Sequence, residues 1–370
     1  MIKCQFAIVG GGIIGLLTAK YLAETGESVT LIEKSAFGSE SSWAGGGIIS
    51  PLYPWRYPDC ITALANQAQY LYPSLCDELF SVTGIDPEFQ QCGLAMGDIT
   101  DQSQAIAWAK ANGKAYSLEK GSIDTCTIDM SEWLCFPEIA QVRTPKLLVS
   151  LIAFLKRQSN VSLVSNCQVQ TIAKGDAECQ LQTARGLVKA KQVILATGAW
   201  TSALFPSANI GPVKGQMIMF GPLKHKLTRI VLVGGRYLIP RKDGRIIVGS
   251  TLEHCGYCNL PELEQAQQLE HWAQTIMPSL MGKPRTKHWS GLRPFREKAP
   301  LIDFVDEEKR ILVNAGHFRN GVVLAPASAH LAFQMLTGQV TELPLLPYAQ
   351  RKQQNQSLNL ALSDTLEPVG

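Results

Sequence analysis

Cys4-Gln5-Phe6-Ala7-Ile8-Val9-Gly10-Gly11-Gly12-Ile13-Ile14-Gly15-Leu16-Leu17 is the stretch whose reading decides the fold. Cys4–Val9 is a short apolar run of the kind that forms a buried parallel strand. The glycines turn the chain, and Ile13 to Thr25 reads as a helix. Its apolar residues Ile13, Leu16, Leu17, Ala19 and Leu22 recur near helical spacing, and Gly26 sits just past its end. Ser28 to Glu33 is a second strand, which the right-handed crossover rule places beside the first. A lone Gly10-x-Gly12-x-x-Gly15 is weak evidence. Here a strand precedes it, a helix follows it, and an acidic residue ends the next strand ~20 residues on. Gly10 permits the tight turn, Gly12 lets a pyrophosphate approach the backbone, and Gly15 lets helix and strand pack closely. Unpaired amides at the positive helix end then hold phosphates. Glu33 accepts hydrogen bonds from ribose hydroxyls and repels a 2′-phosphate, so the ligand is NAD-like or FAD-like, not NADP. A later Ala196-Thr197-Gly198 turn after an apolar strand argues for FAD.

The rest of the chain alternates helical and strand patterns. With 370 residues, the prior is two or three domains at ~150 residues each. Residues 35–58, rich in Ser, Gly and Trp, read as a loop serving a site. Ile61 to Phe80 reads as a helix that Pro73 ends or kinks, and 81–142 show no clear period. Pro145 opens a helix with one apolar face, Leu147, Leu148, Leu151, Ile152 and Leu155. Strands follow at Val161–Val164, Gln168–Ile172 and Gln192–Leu195. The stretch Val213 to Leu252 has β character, and Pro261 begins a helix to Ile276. Ile311-Leu312-Val313 is a buried strand leading into a helix from Val322 to Leu336. The fold class is therefore α/β: a Rossmann-like dinucleotide-binding domain with an inserted α+β substrate domain on a mixed or antiparallel sheet. The expected division gives 1–80, 140–212 and 305–360 to the first, 81–139 and 213–304 to the second, and 361–370 to a loose tail.

Composition excludes several classes. Apolar residues make up 46% and charged residues 18%, normal for a packed protein and wrong for a disordered or fibrous one. A chain this long buries ~75% of its unfolded surface, so no staple is needed. Net charge is 34 − 31 = +3 without a basic stripe, so no nucleic-acid partner is expected. Arg241-Lys242 and Arg351-Lys352 read as solvated surface. The uncharged run 4–19 after Lys3 resembles a signal peptide, but its glycines and the lack of an A-x-A site favour a strand and turn. No apolar run reaches the ~18 residues of a membrane span. The ten cysteines lack a framework spacing. Cys255 and Cys258 are the only close pair and have only His254 nearby, so no metal is expected. The others read as buried thiols in a reducing compartment, the cytoplasm.

Further motifs stand in order: Ser41-Ser42-Trp43-Ala44-Gly45-Gly46-Gly47-Ile48, Ala196-Thr197-Gly198, Gly215-Gln216, Pro240-Arg241-x-x-Gly244, Gly291-Leu292-Arg293-Pro294 and Gly316-His317-Phe318-Arg319-Asn320-Gly321. With the initial βαβ unit they resemble the D-amino acid oxidase superfamily of FAD enzymes, and within it the glycine oxidases linked to thiamine biosynthesis. The likeness spans nearly the whole chain except 81–142 and the tail. It implies that Ile13 and Ile14 contact phosphates and that Glu33 and Lys34 flank the adenosine ribose. It also implies that Ser41 and Ser42 bind the pyrophosphate, that Gly46, Gly47 and Ile48 pass the flavin ring, and that the Val169 backbone meets the adenine. Gly198 belongs to the second crossing. His317, Phe318, Asn320, Gly321, Val322 and Val323 lie over the pyrimidine side, where a helix start stabilises a reduced anionic ring. Arg293 matches the arginine that grips an amino-acid carboxylate, Arg319 a second substrate-contacting arginine, and Tyr237 a tyrosine on the facing strand.

Arg293 stands between Leu292 and Pro294, too apolar a setting for a solvated charge, and a desolvated arginine is costly unless a carboxylate pairs with it. The competing reading is a structural ion pair with an acid such as Asp303. For Tyr237 it is ordinary sheet packing. Sarcosine oxidases of the superfamily attach flavin through a cysteine in the segment equivalent to 291–294. None stands there, so the FAD is expected to be non-covalent. The resemblance implies oxidation of glycine or another small amino acid to an imine, with the flavin reoxidised by molecular oxygen, releasing peroxide, or by a membrane quinone. Alternatives are a dehydrogenase for D-amino acids or sarcosine, and a flavoprotein that oxidises residues of a partner protein, as in tryptophylquinone maturation. Trp43, Tyr53, Trp55, Tyr57 and the Trp108/Trp133 region would form its docking rim. A homo-oligomer stays open.

Overall fold

Ile2–Val9 runs parallel to Val29–Ile32 on one side and to Gly186–Leu195 on the other, in a computed structural model that describes residues 1–124, 126, 132–223 and 227–350. The expected loose tail at 361–370, the end of the 305–360 segment and Arg351-Lys352 lie outside the described residues. The sheet order is Leu301–Phe304, Ile311–Ala315, Gly186–Leu195, Ile2–Val9, Val29–Ile32, Val161–Val164. All pairs are parallel except that between Leu301–Phe304 and Ile311–Ala315. Both faces are covered, and the pleat divides them. Ile8, Leu31, Ile194 and Leu312 pack with the helices Ile13–Ala23, Asp59–Thr83, Thr144–Leu155 and Gly321–Thr337. Ala7, Val9, Val193, Leu195 and Val313 pack with Val169 and Leu181 from the strands Val169–Lys174 and Cys179–Thr183. Apolar runs buried on both faces are what a parallel sheet requires.

The second sheet is ordered Arg285–Phe295, Gly211–Phe220, Ile246–Gly249, Arg236–Pro240, Ile230–Val233, Leu94–Gly97, Trp133–Phe136, Ser117–Glu119. Only Ile230–Val233 with Leu94–Gly97 is parallel. The helix Leu263–Ile276 packs one face through Ala266, Leu269 and Ala273. On the other face Met217, Tyr237, Ile239 and Ile247 meet Ile48 and the helix Gln102–Ala111. That second face turns toward the first sheet and supplies one side of the site. Among the described residues no helix is long and apolar enough to cross a membrane.

Several expectations change. Pro73 neither ends nor divides the helix, which runs Asp59–Thr83 with the proline inside. Ile61, Leu64, Ala68, Tyr72, Leu75 and Leu79 all bury along it, and their packing outweighs the ~3 kcal/mol proline penalty. Residues 81–142 hold the helix Gln102–Ala111 and short strands whose partners are distant in the chain. Local periodicity cannot reveal such strands. Leu301–Phe304, assigned from sequence to the substrate domain, pairs into the first sheet instead. Arg241 is no surface residue: it is 7% exposed, and its guanidinium donates to Gln141 Oε1 at 2.6 Å, Gly46 O at 2.7 Å and Val142 O at 3.0 Å. The aromatic rim is mostly half-buried. Trp133 is fully buried, the Trp55 indole donates to Asp101, and the Gly235 amide donates to the Tyr53 hydroxyl. Only Trp43 of that group is exposed.

Candidate active site

The glycine turn and the second sheet border one cleft of about 420 Å³. At its first end Gly10 has φ +107°, and a Cβ on Gly15 would fall 1.9 Å from the Gly10 carbonyl oxygen. Glycine is required at both places by backbone geometry. The helix Ile13–Ala23 therefore opens into the cleft with no side-chain N-cap. The Ile13 amide donates to Ser42 Oγ at 2.9 Å. The Gly12 and Ile14 amides, on the cleft wall, have no acceptor among the described residues. Unsatisfied donors at a positive helix end attract an anion. Glu33 is buried. Its carboxylate accepts from the Gly11 amide at 2.7 Å and the Ser35 amide at 2.9 Å, so it shapes the glycine turn as well as facing the cleft. The Lys34 ammonium stands 3.2 Å from the Trp200 ring centroid and 3.7 Å from Glu40.

Ser41, Ser42, Val169, Gly198, His317, Phe318, Arg319, Gly321 and Val322 also line this cleft, as do Gly10, Gly12, Ile13, Ile14, Glu33, Lys34 and Arg293. Gly15, Gly46, Gly47, Ile48, Asn320, Val323 and Tyr237 are not on its wall. Gly15, as the turn requires, faces backbone. Gly46 packs on the second sheet, where a Cβ would lie 2.7 Å from Ile239 Cδ1, and its carbonyl is held by Arg241. Ile48 bridges to Gln141. Asn320 and Val323 are buried beneath the wall.

Residue 317 is neutral. Burial pushes the His317 imidazole down to about 3. Ser328 Oγ donates to Asn314 Oδ1 at 2.7 Å, which leaves its oxygen to accept from His317 Nε2 at 2.7 Å. That chain assigns the proton to Nε2 and leaves Nδ1 with a lone pair.

Arg293 occupies the far end of the cleft on the strand Arg285–Phe295, beside Gly211–Phe220. Its guanidinium lies across Gly215. It donates to the Thr251 carbonyl at 3.1 Å, to Ser250 Oγ at 2.9 Å and, at 3.4 Å, to the Lys214 carbonyl. Among the described residues no carboxylate lies within ion-pair distance, so the pairing with Asp303 does not form; Asp303 accepts from the Gln350 amide instead. Burial lowers the Arg293 guanidinium to about 10, which leaves it charged at neutral pH. Arg319, half-buried on the same wall, has no hydrogen bond or ion pair among the described residues. Tyr237 is buried behind Arg293, and its hydroxyl reaches only the Met217 sulfur, at 3.8 Å. A thioether is a weak acceptor, so that donor is nearly unspent. A buried cation without a counter-ion is unstable unless an anion joins it. Arg241 is equally short of acid partners, but its acceptors are interior oxygens. Arg293 faces the cavity.

Residues 5–335 match the family of FAD dependent oxidoreductases designated DAO. The chain belongs to that family. It is 41% identical over 356 residues to a protein named "Glycine oxidase" from Pseudomonas putida, covering 93% of this chain and 98% of that one. It is 40% identical, with the same coverage, to another of that name from Pseudomonas aeruginosa. A solved structure of glycine oxidase from Geobacillus kaustophilus superposes with TM-score 0.89 at 25% identity, covering 95% of this chain and 99% of that one. The α/β fold with its mixed sheets is thus that of the family, and the protein is an FAD-dependent oxidoreductase.

The residues present fit that cofactor. The open amides of Gly12 and Ile14 suit a pyrophosphate, and the cleft continues from Glu33, Lys34 and Val169 to Arg293 and His317. Sequence reasoning missed Glu40, Gln168, Thr197, Trp200 and Asn314 on the wall, and Ser250 and Thr251 behind Arg293. Thr197 lies inside the Ala196-Thr197-Gly198 turn; the others carry no local signal.

Proposed function

We propose that the protein oxidises the amine of glycine, or of a similarly small amino acid, with oxygen as acceptor. The observation that carries this reading is Arg293, a half-buried and uncompensated cation on the wall that also bears the phosphate-binding turn. Its fork suits a carboxylate, bidentate and oriented. Arg293 would hold the substrate carboxylate and Arg319 would draw it in, while Tyr237, which lies off the cleft wall, would support Arg293 from behind. Fixing that end would turn the Cα–H toward the part of the cleft that His317 and Val322 line. Positioning is the protein's main contribution, and no side chain is asked to act as a base. Neutral His317 adds no second positive charge beside the amine. The chemistry that bound FAD supplies is acceptance of the Cα hydride and delivery of the electron pair to dioxygen as hydrogen peroxide. Hydrolysis of the imine then gives glyoxylate and ammonia.

The relatives' printed name supports glycine over a bulkier substrate and over a protein-bound residue. We assign the cofactor roles to the cleft residues as expected from sequence, with FAD held non-covalently, since Gly291-Leu292-Arg293-Pro294 offers no cysteine. The first sheet with its helices would form the FAD domain and the second sheet the substrate domain. A reducing cytoplasm suits a chain in which all ten cysteines are free. The test is anaerobic reduction of the bound flavin by glycine, sarcosine, D-alanine and bulkier amino acids. Glycine should bleach it fastest. A flavin that no free amino acid reduces would overturn the reading.

A further inference from the structure

The turn Cys255-Gly256-Tyr257-Cys258 rises from a base that is fixed on both sides. Before it, residues 214 and 253 exchange backbone hydrogen bonds, each 2.9 Å, and the Glu253 carboxylate contacts the buried Lys214 ammonium at 2.9 Å. After it, Glu262 contacts the same ammonium, the Leu260 carbonyl accepts from that ammonium at 3.3 Å, and the Asn259 carbonyl accepts from Ser290 Oγ at 2.6 Å. Between these anchors Gly256 has φ +63°, the left-handed conformation in which glycine lets a chain reverse. The Tyr257 hydroxyl donates to the Ala199 carbonyl at 3.1 Å, and its ring stands 6.0 Å from that of Trp200 on the cleft wall. The turn is therefore held against the cleft.

The two corners of a tight turn have Cα atoms within about 7 Å of each other, and a disulfide spans roughly 4.4–6.8 Å between Cα atoms. The Cys255 thiol is directed at its partner residue, donating to the Cys258 carbonyl at 3.5 Å. Both of these cysteines are exposed, and the other eight are buried or half-buried. Thiolate is the form that attacks an oxidant. Burial pushes the Cys76, Cys126 and Cys135 thiols up to about 12, and it raises Cys4, Cys60, Cys92 and Cys179 as well. A dissolved oxidant thus meets two accessible sulfurs side by side. We propose that Cys255 and Cys258 are a dithiol that hydrogen peroxide oxidises reversibly to a disulfide. One thiolate attacks a peroxide oxygen, the O–O bond breaks, and a sulfenic acid forms. The hydroxide released takes up the proton that the first thiol gave up. The second thiol then displaces the sulfenic oxygen as water, and the S–S bond closes. Two thiols lose two electrons, and one peroxide becomes two waters. A dithiol reductant reverses the step by exchange. The source of the oxidant, peroxide made as oxygen reoxidises the flavin, rests on the oxidase reading above.

The experiment treats the flavin-loaded protein with a few equivalents of hydrogen peroxide, quenches with catalase, then denatures, alkylates and maps the thiols by peptide mass spectrometry. Two of the ten thiols should escape alkylation, both in one peptide that spans 255–258 and is lighter by two hydrogens. Dithiothreitol should restore them. Cys255→Ser should form no bridge and should carry sulfenic or sulfinic acid at Cys258. The double variant Cys255→Ser, Cys258→Ser should keep its remaining eight thiols at the same dose. The proposal fails if wild type keeps both thiols free, if either stops at sulfinic acid without bridging, or if the buried cysteines are consumed first. Glycine and oxygen in place of added peroxide should form the same bridge, and catalase should block it. A protein that bridges with added peroxide but not with glycine would overturn the oxidase reading and leave the dithiol standing.

Discussion

The Arg293 guanidinium occupies the space where any side chain at Gly215 would begin: a Cβ built there would stand 2.0 Å from Nη2 and 2.2 Å from Cζ. Glycine at 215 thus lets a long cation lie flat across the neighbouring strand with its fork toward the cleft. Gly215→Ala should expel the guanidinium from its rest on Thr251 and Ser250. The strand itself gives no reason to fail, since Gly215 has an ordinary backbone conformation. We expect KM for glycine to rise at least about tenfold, as for loss of a charge-assisted pair worth ~2 kcal/mol. Steady-state oxygen uptake checks it, and unchanged kinetics would remove Arg293 from the site.

Arg241 and Arg293 should respond differently to removal. Arg241 satisfies Gln141, Val142 and Gly46 oxygens in the interior. Truncating it to Met strands those acceptors, at about 1–3 kcal/mol for each group left unsatisfied. Arg293→Met also frees three oxygens, of Thr251, Ser250 and Lys214, but it opens onto the cleft, where water can replace the guanidinium, so stability should fall less than in the Arg241 variant. Glycine turnover should collapse in Arg293→Met. Urea denaturation of both flavin-loaded variants separates the roles; equal destabilisation would make Arg293 structural.

At the cofactor end, Gly15→Ala and Gly12→Ala form a graded pair. The first places a methyl 1.9 Å from backbone oxygen of Gly10; the second places one 3.1 Å from the Ser42 hydroxyl. A backbone atom cannot move without shifting the helix off the strand, whereas a hydroxyl can rotate. Gly15→Ala should purify with little flavin and a lowered melting temperature, whereas Gly12→Ala should keep a melting temperature nearer wild type and lose flavin only because its methyl enters the space the pyrophosphate needs. The ratio of flavin to protein absorbance reads both. A fully yellow Gly15→Ala would break the link between this turn and the cofactor.

The cofactor half of the site was legible because its rules are local. Gly10, Gly12, Gly15 and Glu33 sit at spacings set by one turn and one helix, and the structure puts them where that geometry requires. Arg293 was legible for a different reason, its apolar neighbours Leu292 and Pro294. Nothing similar marked Arg241, whose neighbours Lys242 and Asp243 look like surface; its burial comes from Gln141 and Gly46, about a hundred or more positions away. Leu301–Phe304 was misplaced for the same kind of reason: which sheet a short strand joins is decided by its partner, not by its own residues. Lys214 is the extreme case. A lysine between Val213 and Gly215 carries no sequence sign that two distant glutamates will neutralise it.

Acid stability gives the last test, through His317. The imidazole is held neutral down to about 3 in the folded protein, against 6.5 when unfolded. Below pH 6.5 the unfolded chain therefore binds a proton that the folded one refuses, and folding loses ground as pH falls. The loss approaches ~1.4 kcal/mol per pH unit between 6.5 and 3 and vanishes above 6.5. His317→Asn keeps a donor for Ser328 and cannot titrate. Its melting temperature should fall less steeply than wild type between pH 6.5 and 4.5, with the two curves parallel above pH 7. Parallel curves across the whole range would mean that His317 is protonated in the folded protein, and that a positive charge, not a neutral ring, faces the substrate amine.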